Sequence, residues 1–401
     1  MTEKRKFASP ILYGDGWTEE GLGALARKNP EVFMTRAQEM IDKGELAFSN
    51  VSSLRHLFDS LFYTEVKHQI ADMFGNKRTI TSSAFPLLVG GLVIKEVNNG
   101  MESVASIGNQ LVTESDDAKK WTHYAGILVT APHQAGLAEM EQFPEIAASS
   151  ERFDIGNRLN GYMMSITGQA IEENEIPQIV SKCNKLGQIV DETVEELTLD
   201  RVTDHFGSAT SAGEPYVLRI NGTGTSLYQT SNSTLTRLST SGNRITNNAL
   251  TDETDLENAR ARLASFTNER GKRVNLPPSR CLILVPDALV GTARKIRGSE
   301  MTPGVENELN NWGPRGAYQS AVLSSSKVDD ISTSAWYYGD FKAQFIRKWK
   351  LRFENATLGG TSTEAWLKQR IAAQYRMAYD CEVGAIGYQS VVQCLSGTTA
   401  P

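Results

Sequence analysis

The spacing of apolar positions changes character several times along this chain, and each change marks an expected element. From about Glu19 to Phe74 the pattern is helical, in TEEGLGALARK, PEVFMTRAQEMIDKG and SNVSSLRHLFDSLFYTEVKHQIADMF. In the last of these, Leu54, Leu57, Leu61, Ile70 and Met73 recur at near-helical spacing, with Asn50 or Ser52 placed to cap. After a basic, turn-like GNKR, the segment TITSSAFPLLVGGLVIKEVNNG brings in β-branched residues and paired glycines, the first departure from that pattern.

Beyond Lys120, short strand-like runs mixed with Pro, Gly and Ser lead to YMMSIT. They are too short and scattered to make a core of their own, so a long two-armed excursion is expected. The strongest helix follows, QIVSKCNKLGQIVDETVEELTLDRVTDHF. Its Val180, Cys183, Leu186, Val190, Val194, Leu197 and Val202 form one apolar stripe about six turns long. Residues 207–250, rich in Gly, Ser, Thr and Asn, suit loops and small hairpins.

TDETDLENARARLASFTNERGK then predicts a capped helix with Leu256, Ala259, Leu263 and Phe266 on one face. SRCLILVP predicts a buried strand and PDALVGTARKIRGSE another helix, the alternation of a separate α/β domain. The rest reads as long strands. Across residues 341–353 apolar and basic positions roughly alternate, putting Arg347, Trp349 and Leu351 on one face and Lys348, Lys350 and Arg352 on the other. Basic and aromatic residues in RKWKLR would also suit nucleic-acid stacking, but a sheet with one packed and one solvated or interface face accounts for them.

The segment AIEENEIPQIV, residues 170–180, holds Glu172, Glu173 and Glu175. It could be an acid/base pair, a hard-metal site or a helix start. The helix start explains most residues: Asn174 suits the N-cap, and Glu175 suits a first turn where the macrodipole favours negative charge by about 0.3–1 kcal/mol. Pro177 suits a position whose amide hydrogen would have no helical partner. No histidine or Asp-x-Asp motif supplies the partners that chemistry would need.

Composition narrows the function classes. Hydrophobic content of 40% and charged content of 22% are those of a folded chain. A net charge of −6, with a pI near 5.6, leaves no whole-chain basic field for phosphate backbones. The longest apolar run, FPLLVGGLVI at 85–94, is about half a membrane span, and MTEKRKFASPILYGDGW lacks the apolar core of a signal peptide, so neither membrane insertion nor secretion is expected. Cys183, Cys281, Cys381 and Cys394 make no C-x-x-C pair and are expected reduced, packed as small apolar groups. His56, His68, His123, His133 and His205 sit in no catalytic or zinc motif, and NGTGTS at 221–226 reads as a turn because it lacks the lysine and spacing of a phosphate loop. No catalytic residue, cofactor or metal is expected.

The order of parts carries a resemblance. YMMSITGQAIEENEIPQIVSKCNKLGQIVDETVEEL, NLPPSRCLILVPDALVGTARKI, DFKAQFIRKWKLRFE and TEAWLKQRIAAQYRMAYDCEVGAIGYQSVV resemble, in sequence order, the strand, acidic turn, spine helix, axial-domain strand and helix, and closing strands of tailed-phage major capsid proteins. That family has the Hong Kong 97-like shell fold. The resemblance covers roughly 85–395.

It implies an α+β fold with a helical N-terminal arm over 1–75, the start of a peripheral P-domain over 76–116 and an extended E-loop over 117–163. The P-domain strand and spine helix would occupy 164–210, an axial A-domain 211–335 and the closing P-domain strands 336–401. The implied function is a shell of hexamers and pentamers of this one chain around double-stranded DNA, in a virion assembled in the host cytoplasm. Portal, scaffolding and decoration proteins are the further partners, and membranes are not. An encapsulin-like compartment shell is the nearest alternative. A soluble enzyme of unknown class is a further one, disfavoured by the missing nucleophile, metal and phosphate signatures.

The positions put forward for contact between subunits are Glu172 and Glu173, Phe143, Arg152 and Arg158, and Arg347 and Lys350. Some relatives weld their shells by an isopeptide bond from an E-loop lysine. Here no lysine lies between Lys120 and Lys182. Purified particles are therefore expected to run on a denaturing gel as a single chain, and a ladder of covalent multimers would contradict this.

Overall fold

A computed structural model describes residues 84–102, 106–130, 147–173, 175–205, 217–233, 240–267, 276–301, 309–359 and 371–397, with isolated positions at 35, 39, 235, 238, 273, 368 and 369. The expected N-terminal helices, apart from Thr35 and Glu39, lie outside the described residues, as does Asn174.

The elements begin with α1 (Ala84–Glu102), α2 (Gly108–Leu111), β1 (Thr113–Asp116), β2 (Trp121–Thr130), β3 (Ala147–Gly156) and β4 (Arg158–Thr167). There follow α3 (Gly168–Glu172), α4 (Ile176–Thr203), β5 (Leu218–Ile220), β6 (Thr223–Thr225), β7 (Arg244–Ile245) and α5 (Glu253–Ala264). The α/β stretch contributes β8 (Leu282–Pro286), α6 (Asp287–Gly298), β9 (Ala321–Ser325), α7 (Ser326–Ile331), β10 (Trp336–Gly339) and α8 (Phe341–Gln344). The chain closes with β11 (Phe345–Gly359), β12 (Ile371–Ala385) and β13 (Val391–Cys394). The class is α+β, as the resemblance implied. Among the described residues, three sheets run β1-β11-β12-β4, β7-β13-β10-β8-β9 and β2-β3-β5-β6. The chain divides into one compact unit of residues 1–105, 160–192 and 353–379 and another of 106–159, 193–352 and 380–401.

In the first unit the segment with β-branched residues and paired glycines is helical, as α1, and not part of a sheet. Val89, Leu92, Val93 and Val97 bury its apolar face. Glycines set how closely it meets α4. A Cβ on Gly100 would lie 2.2 Å from Asn184 O, and one on Gly187 2.1 Å from Val97 O, so backbone touches backbone at both positions. In α4, Ile179, Cys183 and Val190 are buried, and burial pushes the Cys183 thiol up to about 12. The helix begins one residue later than expected. The carbonyl of Glu175 accepts from Ile179 N at 3.1 Å, which puts Glu175 at the N-cap position and Pro177 second in the helix.

The second unit holds the larger core. The five-stranded sheet is centred on β10, whose residues Trp336–Gly339 are all buried between β13 and β8. Because β10 and β13 belong to this sheet, the boundary expected at residue 335 cuts through it. Helix α5 starts with a capping box of Asp252 and Asp255 and buries Leu256, Ala259 and Leu263, with Phe266 beyond it also buried. Trp312 packs edge-on against Tyr338 at 5.5 Å between ring centres. The last carbonyls of α4 are met from this core: Tyr228 donates to Val202 O at 2.8 Å and Tyr337 to Thr203 O at 3.3 Å. Asp204, at φ 54°, ends the helix and accepts from Leu227 N at 2.7 Å, while burial pushes its carboxyl up to about 6. Of NGTGTS, Asn221 and Gly222, at φ 52° and 85°, form the expected turn, and Thr223–Thr225 continue it as strand β6 paired with β5.

The close α1–α4 approach makes a prediction. Gly187→Ala should destabilise the chain by about 1–3 kcal/mol despite its better helix propensity, since the methyl group meets backbone that cannot rotate away. Gly291→Ala in α6, where nothing lies within 4 Å of the new carbon, should be neutral or stabilising by up to about 1 kcal/mol. Denaturant unfolding of the two variants compares them directly.

Candidate inter-subunit surface

The basic run of β11 is where the sequence placed two contacts between subunits, Arg347 and Lys350. Strand β1 runs parallel to β11 with Glu114 opposite Arg347 and Asp116 opposite Trp349, so the acids of TESD face the run. Arg347 is 3% exposed. Its Nη1 donates to Asn109 Oδ1 at 2.7 Å and Glu114 Oε1 at 3.3 Å, and its Nη2 to Thr198 Oγ1 at 2.9 Å. A Cβ on Gly108 would sit 2.9 Å from that Nη2, so a larger residue in α2 would crowd the guanidinium. Arg347 is thus an internal clamp and not an outward contact, because its donors are taken up inside the chain.

The expected two-faced alternation also fails at the start of β11. Residues 345–349 are buried on both faces, and only from Lys350 does the strand become half-exposed. Lys348 is fully buried with Nζ donating to Lys119 O, and burial lowers its pKa. Lys350 pairs with Asp380 at 3.6 Å, and Arg352 with Asp116 at 2.9 Å.

A second buried charge fixes the other half of α4. Arg201 Nε lies 2.9 Å from Glu382 Oε1, with the two side chains 2% and 4% exposed. Burial pushes Glu382 up, against Arg201 and the more distant Arg158. One turn and a half earlier, Glu195 Oε1 accepts from Ile107 N at 3.1 Å. Arg158 itself is exposed, at the start of β4.

Arg152 sits on a different surface, one face of the sheet formed by β2, β3, β5 and β6. Trp121, His123 and Ala125 of β2 pair with Gly156, Asp154 and Arg152 of β3. Phe153 pairs with Ile220, which puts Asp154 level with Arg219 and Arg152 level with Asn221. Arg152 Nε is 2.9 Å from Asp154 Oδ1, and His123 Nδ1 meets the same oxygen. Desolvation would raise the Asp154 carboxyl, but its bonds to His123 and Arg152 hold it below the usual range. The Arg219 guanidinium lies 5.1 Å from the Trp121 ring centre, and a Cβ on Gly156 would meet that ring at 2.7 Å. Phe153 and Ile155, on the reverse side, are buried.

Of the remaining positions, Glu173 is exposed and accepts from Gln169 Nε2 at 2.8 Å. Phe143 and the side chain of Glu172 lie outside the described residues. Among the described positions, Arg347 and Arg152 belong to different sheets. Trp121, His123, Asp154 and Arg219 were not singled out from the sequence, since only cross-strand register assembles them. The turn read from NGTGTS located one end of that sheet but not its partner strands. Among the described residues no group of three or more His, Cys, Asp and Glu is placed to hold a metal ion, and no helix is long and apolar enough to cross a membrane.

Arg201→Met or Glu382→Leu alone should each destabilise the chain by about 3–5 kcal/mol, because the surviving charge stays buried without its partner. The double variant should recover most of that loss in a denaturant double-mutant cycle.

Comparison with known proteins places this arrangement. Solved structures similar to the chain include a virus-like particle from Pyrococcus furiosus, at 10% identity and a TM-score of 0.40, covering 75% of this chain and 96% of that one. The capsid of a native GTA particle is similar at 10% identity and a TM-score of 0.46, covering 74% and 92%. The mature capsid of bacteriophage PhiM1 is similar at 7% identity and a TM-score of 0.44, covering 74% and 89%. No curated protein matches the chain. A family model described as phage capsid protein matches residues 159–393, which take in almost all of β4, all of α4, the five-stranded sheet and both long closing strands. With more than half of its length matched, the chain belongs to the phage capsid protein family.

Proposed function

We propose that this chain is the major capsid protein of a tailed, double-stranded DNA phage, with the Hong Kong 97-like architecture. The observation that carries this reading is the family match from residue 159 to 393, which spans both compact units. In this reading the β2–β3 hairpin is the base of an E-loop over 117–163, α4 is the spine of the P-domain, and the five-stranded sheet is the body of the A-domain. Hexamers and pentamers of the one chain close into an icosahedral shell, with closure making each modest interface count many times.

A net charge of −6 supports a container that holds DNA without gripping it. Portal, scaffolding and decoration proteins would meet the same shell during assembly in the host cytoplasm. Glu172, Glu173, Phe143, Arg152, Arg158 and Lys350 remain the contact positions in this proposal; Arg347 is set aside on burial.

Negative-stain microscopy of the expressed full-length chain tests this directly. Closed shells or rings of five and six subunits are expected. A chain that stays monomeric at high concentration would sink the reading.

A further inference from the structure

The outward face of the sheet containing β2 and β3 has a construction that the internal packing does not require. Trp121 is 43% exposed, and the His123 and Arg152 side chains are 53% and 49% exposed. His123 and Arg152 converge on Asp154, whose side chain is 5% exposed. A buried carboxylate under the exposed Arg152 guanidinium and His123 ring orients both side chains at the surface. Arg219 adds a second guanidinium, held over the Trp121 ring with its Nη2 donating to Gly222 O at 3.3 Å. The result is a preorganised aromatic and cationic surface, the composition that recurs at the centres of protein interfaces.

The same chain carries its complement. Glu173 is exposed and, among the described residues, its carboxylate accepts only from the neutral Gln169 amide. It stands in a sequence segment, Glu172 to Glu175, that holds three of the chain's acids. We infer that the face of Trp121, His123, Arg152 and Arg219 receives the acidic segment around Glu173 of a second copy of this chain. This rests on the capsid reading, in which copies must touch. One feature favours a carboxylate partner over nucleic acid: Arg219 occupies the ring face on which a base would stack.

The test uses full-length Arg219→Glu, Glu173→Arg and the double variant carrying both. The assembled fraction is measured by sedimentation and microscopy over a sodium chloride series, with circular dichroism confirming the fold. Each single reversal should lower the assembled fraction about tenfold at low salt, and the double variant should return to within about twofold of the wild type. Should Arg219→Glu unfold the chain, Arg152→Glu takes its place in the same cycle.

Wild-type shells accompanied by unaffected single variants overturn the inference while leaving the capsid reading intact. Folded single variants that fail without rescue in the double overturn it too. Normal shells that no longer retain nucleic acid assign the face to a phosphate backbone instead. A wild-type chain that never assembles overturns the capsid reading, and this inference falls with it.

Discussion

A guanidinium taken out of water needs an acid within reach, and α4 carries such a group, Arg201, in its last turn. Its partner Glu382 lies 181 residues away in sequence, at 2.9 Å. Desolvating two charges costs several kcal/mol, so the pair favours folding only in good geometry. That requirement fixes the end of the helix against β12 more narrowly than apolar packing alone would, because Leu199 and Val202 beside it tolerate small shifts and an ion pair does not. Glu195 with the Ile107 amide and Thr198 with Arg347 apply the same logic along one face. Much of the second unit is built around satisfying that polar face.

The first part of α4 meets a different constraint. There Gly187 and Gly100 remove side chains where α1 crosses, so the two backbones pack without an intervening layer. A helix of 28 residues, about 42 Å long, thus changes from a close, small-residue contact to a buried polar one along its length. Each half belongs to its own compact unit.

Basic residues in this chain show why charge by itself says little about interfaces. Arg347, Lys348, Lys350 and Arg352 look from the sequence like one basic strand, yet Glu114, Asp116, Asp380 and a backbone carbonyl meet them within the chain. Arg152, one of the positions put forward for contact, and Arg219, which the sequence did not single out, share a solvent-facing sheet surface. Arg152 too has an internal partner, Asp154, so exposure rather than charge decides which basic residues can reach a neighbour.

Local pattern was enough for much of the fold. The stripe from Val180 to Val202 marked α4, the capping residues of TDETD marked the start of α5, SRCLILVP marked β8, and NGTGTS marked a turn, since helix period, caps and turns are properties of neighbours in sequence. It fell short where the deciding partner is distant. FPLLVGGLVI became helix within α1, whose later turns pack on α4 at Gly187, Arg347 went inside because β1 brings Glu114 beside it, and β10 joined β8 and β13 across the expected boundary at 335. The sequence by itself determined the class, the order of elements and the absence of familiar catalytic motifs. Which charges are buried and which face outward was decided only by the tertiary structure, because burial depends on strand register and long-range pairing that no local window contains.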